Sequence, residues 1–269
     1  MEHAELILPW KPATIYGVSD LQLGSAGCVV HLFEEDMAEA RSDRALCLGL
    51  GDDIDFVRPT MRKLLRVNES DTEMMDTLTT RAIDHETHYL EMVAGTKWIG
   101  KLKGHHYWDF GGGITSDTRL AKALHCPYLG DSCTYRITFR DKLHEVSTNI
   151  WAWHGEGSGS VWSALAKLAK QAGHWDCDIF LMGHYSQLGA VKFHRMDPRI
   201  DADVRELVSR DITLGLTGGY QKGYVSNLEI EGRPQGTYVE QRGLPPVSLG
   251  CLRLRLTPTN DGVRVRATI

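Results

Sequence analysis

No apolar run in the chain approaches the roughly 20 residues that a membrane-spanning helix needs, so no membrane association is expected. The start, MEHAELILPWKP, puts acids ahead of a short apolar patch and has no basic stretch, so a secretory leader is not expected there. Cysteines are few and scattered. Cys28, Cys47, Cys126, Cys133, Cys177 and Cys251 include no CxxC pair, which excludes a disulfide scaffold or a zinc knuckle and leaves small buried thiols in a reducing cytoplasm. A cationic excess is missing too. With 30 Lys+Arg against 35 Asp+Glu the formal net charge is −5, so the chain as a whole is not built to grip nucleic acid, although a local basic groove stays open. Nor does any repeat, low-complexity tract or long linker divide the sequence. At 42% hydrophobic and 24% charged it is ordinary globular material, and one domain over 1–269 is expected.

The order of local signals narrows the fold class. Apolar runs at 13–20, 45–53, 97–104, 134–140, 147–155 and 178–184 predict strands. Helices are predicted at 36–43, over 58–95 with an N-cap at Ser70-Asp71 and a stop at Gly95, in TRLAKAL after Ser116 or Asp117, and from Ser160 to Gly173. AVKFHRM, DITLGLTGG, TYVEQRG and LRLRLTP read as β, so 212–269 should be mostly closing strands. Strand and helix alternate first and strands dominate last, which predicts an α/β domain with two sheets.

Histidine is where the composition departs from the ordinary. Several of the twelve sit beside glycine at the end of an apolar strand. The strand ends read Asp20-Leu21-Gln22, Gly51-Asp52-Asp53-Ile54-Asp55, Gly104-His105-His106, His154-Gly155 and Gly183-His184-Tyr185-Ser186-Gln187. Ligands of open α/β sheets bind outside the carboxyl ends of the strands, so each run delivers donors to one rim. Carboxylate and imidazole together suit first-row divalent metals. One such strand end is usually a turn; five in succession point to a site.

This order of motifs resembles the calcineurin-like metallophosphoesterase family, whose pattern is D-x-H, GD-x-x-D, GNH-[DE], a His after a strand, and GH-x-H. The segments TGGYQKGYV, TYVEQRG and LGCLRLRL are similar to the closing strands of its phage and prophage branch. The resemblance implies a four-layer αββα sandwich of two mixed β-sheets flanked by helices. It implies hydrolysis of a phosphate ester, a phosphodiester among the options, by attack of a metal-bound water on the phosphorus. Two divalent ions are implied, manganese first, with iron, zinc, nickel or magnesium as alternatives. Residue by residue, Asp20 would ligate the first metal, Asp52 would bridge both, and His105, His154 and His184 would complete the second site. His106 would be the catalytic acid at the leaving oxygen. Asp55 would be a supporting residue.

Three positions depart from the pattern. Gln22 stands for the His of D-x-H, Ser186 for the second His of GH-x-H, and Tyr107 for the acid after the catalytic His. The first two would leave metal site one to oxygen donors: Asp20, Asp52, the amide of Gln22, with Ser186 or Gln187 as marginal additions. It should therefore be weak. A motif-external imidazole, such as His31 or His194, is the alternative way to complete it. The third departure removes the usual orienting carboxylate of His106, for which Asp109 is a candidate. A nuclease acting on DNA or RNA, and a degenerate member that binds without hydrolysis, remain as other readings.

The remaining signals have plainer explanations. His85 and His88 lack HExxH spacing and read as a polar helix face. Gly111-Gly112-Gly113 lacks the lysine of a phosphate loop and reads as a loop near the site. The glycine-rich 155–160 stretch is an anion cradle or a bare connection. Trp151, Trp153 and Trp162 read as core, and Arg253, Arg255, Arg264 and Arg266 as one exposed sheet face.

Overall fold

A computed structural model describes residues 1–56, 72–201, 204–230 and 232–269. The strands are β1 (Glu2–Pro9), β2 (Ala13–Val18), β3 (Leu46–Gly49), β4 (Lys97–Lys101), β5 (Asp109–Gly111), β6 (Ile114–Thr115), β7 (Ser132–Arg140), β8 (Glu145–Trp153), β9 (Ile179–Met182), β10 (Leu188–Asp201), β11 (Val204–Gly219), β12 (Glu229–Ile230), β13 (Arg233–Pro234), β14 (Gly250–Thr259) and β15 (Gly262–Thr268). The helices are α1 (Val30–Ser42), α2 (Thr72–Met92), α3 (Ser116–Ala123), α4 (Val161–Ala172) and the short α5 (Tyr238–Gln241).

Period-two alternation sorts the strands into two facing sheets. In β9, Ile179 and Leu181 join a central core, while Phe180 and Met182 face outward. In β2 and β3, Ile15, Leu46 and Leu48 point to the same central core and Tyr16 and Cys47 point away. Leu252, Leu254 and Leu256 of β14 fill it from the same side. One sheet half holds β1, β7, β8, β9, β11 and β10, and the other β15, β14, β2, β3 and β4. Both are mixed: β8 runs parallel to β9 and β9 to β11, β2 runs parallel to β3 and β3 to β4, while β7–β8 and β14–β2 are antiparallel. Leu165 and Leu168 of α4 cover Phe180 and Met182 on one outer face. Phe33 and Met37 of α1 and Tyr89 of α2 cover Tyr16 and Cys47 on the other. The architecture is a four-layer αββα sandwich.

The halves join where β11 passes from one to the other. Its body pairs with β9, and its last residues pair with β14 through Gly218↔Cys251 and Gly219↔Gly250. Gly218 takes φ +74°, and a Cβ there would press on the Leu188 side chain, so glycine permits this crossing.

Several local expectations differ from the structure. β1 is a strand because it lies parallel to β7, in the register Glu2↔Cys133 to Pro9↔Arg140, a pairing that spans about half the chain. α1 starts at Val30 rather than 36. Thr115, not Ser116 or Asp117, caps α3, through a reciprocal box with Thr118. Of TYVEQRG, the residues YVEQ form the helical turn α5. Ser160 does cap α4. The predicted 58–95 helix is described from Thr72 to Met92, and the Ser70-Asp71 cap lies outside the described residues. Trp162 is 74% exposed on the first turn of α4, not core as expected. All six cysteines are free. Among the described residues no helix is long and apolar enough to cross a membrane.

Candidate metal centre

Because β2, β3 and β4 run parallel in one half and β8 and β9 in the other, the sequels to their carboxyl ends meet at one rim. Asp52 follows β3, His105 and His106 follow β4, His154 follows β8 and His184 follows β9. One donor atom from each of Asp52, His105, His154 and His184 lies within 4.8 Å of the others. The three imidazoles meet edge to face, with centroids 4.7 Å apart for His105–His154 and for His105–His184, and 5.2 Å for His154–His184.

Backbone geometry holds these groups in sparsely populated conformations. Asp20, Gln22, Asp52, His184 and Ser186 all have positive φ, between 46° and 66°. Strain of this kind persists where the surroundings over-determine it and clusters at functional sites. Here the surroundings are visible. Asp52 Oδ1 accepts the backbone N–H of His105 (2.5 Å) and of His106 (2.8 Å). Asp20 Oδ2 accepts that of His184 (2.8 Å). Asp20 donates its own N–H to Gly51 O, and Gln22 to Asp52 O. A Cβ at Gly104 would strike the Asp52 backbone N and Oδ1, so only glycine lets these two strand ends approach.

Two imidazoles are oriented by carbonyls. His154 Nδ1–H donates to Leu50 O at 2.5 Å, which turns Nε2 toward Asp52 Oδ2 at 3.3 Å. His184 Nε2–H donates to Gly157 O at 2.7 Å, which leaves Nδ1 as the inward atom, 3.2 Å from His105 Nδ1. A carbonyl can only accept, so both tautomers follow. In the glycine-rich 155–160 connection the Gly157 carbonyl thus orients His184.

The charges are strongly coupled. Burial alone would raise Asp52, but the His154 imidazole beside it, aided by His106, holds its carboxyl well below the usual range. Burial would lower His154, yet the Asp52 carboxylate more than offsets this and lifts it to about 9. Burial and then the neighbouring imidazoles push His184 down to about 4, and His105 is lowered by burial and by His154. Burial pushes Asp20 up to about 6 against the pull of His154.

The donors fit a divalent metal. Asp20 Oδ1 and His154 Nε2 are buried with no hydrogen-bond partner, and such orphans are costly unless something binds them. One carboxylate and three imidazoles make a four-donor set suited to zinc, iron, nickel or manganese.

Asp20 lies beside this quartet rather than in it. A Cβ on Gly219 would fill the space next to Asp20 Cβ (2.9 Å) and Ser186 Oγ (3.1 Å), so these two residues share one corner. Gln22 is half-buried two residues on. Gln187 is turned away, its amide donating to Pro246 O at 2.8 Å. Of the motif-external imidazoles, His31 is exposed on α1, and His194 Nδ1 pairs with Asp211 at 2.7 Å out on β10. His85, expected on a polar helix face, instead packs over Gly24, two residues past Gln22. His88 is on the exposed face as expected.

His106 is oriented, but not by Asp109. Its Nδ1 lies 2.8 Å from Asp55 Oδ1. Asp109 instead accepts the Gly111 N–H inside the β5–β6 hairpin, whose turn is Gly111-Gly112-Gly113. The acid that meets His106 is thus Asp55, three residues after Asp52. The spacing of Asp55 was visible in the sequence; its partner was not.

The sequence matches no protein-family model and no curated protein. Among solved structures the chain is similar to a conserved uncharacterised protein of Streptococcus pneumoniae described as a predicted phosphoesterase (14% identity, 96% of this chain and 98% of that one, TM-score 0.34). It is also similar to a Vps29 double mutant from Entamoeba histolytica (13%, 95% and 98%, TM-score 0.36). A third is GAP50, the anchor in the inner membrane complex of Plasmodium (9%, 96% and 84%, TM-score 0.43). These likenesses extend along nearly the whole chain at low superposability, and the case for the site rests on its own geometry.

Proposed function

We propose that this protein is a metal-dependent phosphoesterase that hydrolyses phosphate esters, phosphodiesters among them. The observation that carries this reading is the convergence of Asp52, His105, His154 and His184 within 4.8 Å, with His106 held by Asp55 beside them. Divalent ions bound there would neutralise phosphoryl charge and acidify a water. Asp52, His105, His154 and His184 would hold the nitrogen-rich position. Asp20, Asp52 and Gln22 would hold the oxygen-rich one, which suits a harder, exchangeable ion such as Mn²⁺. The Leu50 and Gly157 carbonyls keep His154 Nε2 and His184 Nδ1 aimed inward. Asp55 engages Nδ1 of His106, which makes Nε2 the nitrogen that gives a proton to the departing ester oxygen. The motif order Asp20, Asp52, His105-His106, His154, His184 supports the same assignment.

Metal analysis coupled to hydrolysis of bis-p-nitrophenyl phosphate tests the proposal. The purified protein should retain about one equivalent of a transition metal, and its turnover should rise with added Mn²⁺. Retained metal with no turnover of any phosphate ester would make the protein a binder. Turnover of DNA or RNA alone would make it a nuclease. Failure to bind metal at all would overturn the reading.

A further inference from the structure

The carboxylate next to Asp52 in the chain engages the interior instead of the rim. Lys101, the last residue of β4, is fully buried, and its Nζ donates to Asp53 Oδ1 at 2.7 Å and to the Tyr89 hydroxyl of α2 at 3.1 Å. The ammonium also lies 4.7 Å from the centre of the Trp98 ring and 5.1 Å from that of Tyr89. Gly49 of β3 pairs with Lys101 across the sheet, and a Cβ on it would come within 2.9 Å of Nζ, so glycine makes room for the charge.

A buried ion pair seldom stabilises a fold more than apolar side chains of the same size would, because both charges must leave water. This one is also incomplete: Asp53 Oδ2 is buried with no hydrogen-bond partner, and a half-satisfied buried network is costly. Its place in the fold gives it another use. Asp53 directly follows Asp52, whose φ of +57° is held by a residue with a side chain only where the surroundings over-determine it. On one side those surroundings are backbone: Gln22 N–H donates to Asp52 O and Leu23 N–H to Asp53 O, both at 3.0 Å. On the other side stands the Lys101 anchor, which ties Asp53 to β4 and α2. Asp52 is held between these two supports while its Oδ1 accepts the N–H groups of His105 and His106. The strand that carries Lys101 runs on into those two histidines, so one anchor fixes both partners of that contact.

We infer that Lys101 and Asp53 are positioning residues for the metal centre: the buried pair holds the Asp52 backbone in its left-handed turn and so keeps the Asp52 carboxylate preformed for a metal ion. The inference rests on the metal-dependent reading and adds to it two residues outside the donor set.

Two measurements separate positioning from plain support of the fold. The full-length protein, loaded with Zn²⁺, is titrated with a chromophoric chelator, which reads metal affinity without any hydrolysis. Urea unfolding in EDTA reads the stability of the metal-free fold. Lys101→Met combined with Asp53→Leu and Tyr89→Phe replaces the polar groups of the cluster by apolar ones. This triple variant should be at least as stable as the wild type without metal, yet bind Zn²⁺ roughly tenfold more weakly. Unchanged Zn²⁺ affinity in the folded triple variant would overturn the inference. Should the triple variant fail to fold, two single changes decide. Asp53→Ala, which removes the anchor, should weaken Zn²⁺ binding roughly tenfold, whereas Asp53→Asn, which keeps an acceptor for Lys101, should stay within about threefold of the wild type. Wild-type affinity in Asp53→Ala, equal losses in the two, or losses that follow metal-free stability across the variants would overturn it. A wild type that binds no Zn²⁺ would sink the metal-dependent reading and this inference with it. Tight wild-type binding that the variants leave untouched would sink this inference alone.

Discussion

The two sides of the candidate metal rim are built from the same kind of strand end but held differently. On the side of β3, β4, β8 and β9, three of the four donors have a partner that orients them. Leu50 O holds His154, Gly157 O holds His184, and the backbone N–H groups of His105 and His106 hold Asp52. On the β2 side, Asp20 accepts the His184 N–H with one oxygen and keeps the other buried without a partner, and Gln22 and Ser186 offer oxygens rather than imidazoles. Orientation by a second group raises ligand basicity and lowers the cost of ordering a ligand on binding. The difference teaches that metal affinity here should divide along the same line as the hydrogen bonds: one tight position and one loose.

The sharpest way to break this comparison is to remove the shared carboxylate. Asp52→Ala should abolish retained metal and turnover together, as measured by elemental analysis and diester hydrolysis, and His184→Ala should lower both. Full metal content and full turnover in His184→Ala would refute the tight position. Next in size, His106→Ala should lower kcat by roughly 10²–10⁴ with metal content near normal, because an acid is lost and no ligand. The loss should shrink for substrates with very good leaving groups; equal loss for good and poor ones would argue against an acid. Third, the double change Gln22→His with Ser186→His should convert the loose position into a tight one. In a Mn²⁺ titration of activity, the wild type should need clearly more metal than the double variant. If the wild type already binds two equivalents as tightly, the two sides do not differ.

The smallest effect expected is on stability. Burial, and then the Asp53 carboxylate, push Asp117 up to about 7, while its Oδ2 accepts the Gly104 N–H at 2.9 Å. A carboxyl whose folded pKa lies above its unfolded value stays protonated longer in the fold. The unfolded chain ionises first, so folding stability declines as pH rises from about 4 to about 7 and is level above. Asp117→Asn removes that decline and keeps an acceptor for Gly104. Its gain over wild type should grow across that window to on the order of 1–3 kcal/mol. Chemical denaturation at a series of pH values reads it out, and a gain independent of pH would contradict the buried, protonated carboxyl.

Much of this molecule was legible before its coordinates. Alternation such as Ile179-Phe180-Leu181-Met182 and the Ser160 cap report locally, because period-two burial and helix capping are decided within a few residues. The glycine-flanked donors Asp52, His105 and His184 were visible for the same reason: the tight turn at a strand end leaves its mark in the neighbouring residue. What the sequence by itself determined is thus the α/β class, the alternation of its main strands and helices, and the candidate donors at the strand ends. Only the tertiary structure decided which of those donors meet. β1 becomes a strand through β7, more than a hundred residues on, and Trp162 lies exposed on the first turn of α4. Asp55 reaches His106, and Asp109 turns into its own hairpin, since hydrogen-bond direction depends on how β3 and β4 lie side by side. Distances between residues far apart in the chain are set by sheet register and packing, and neither has a local signature that one chain can display.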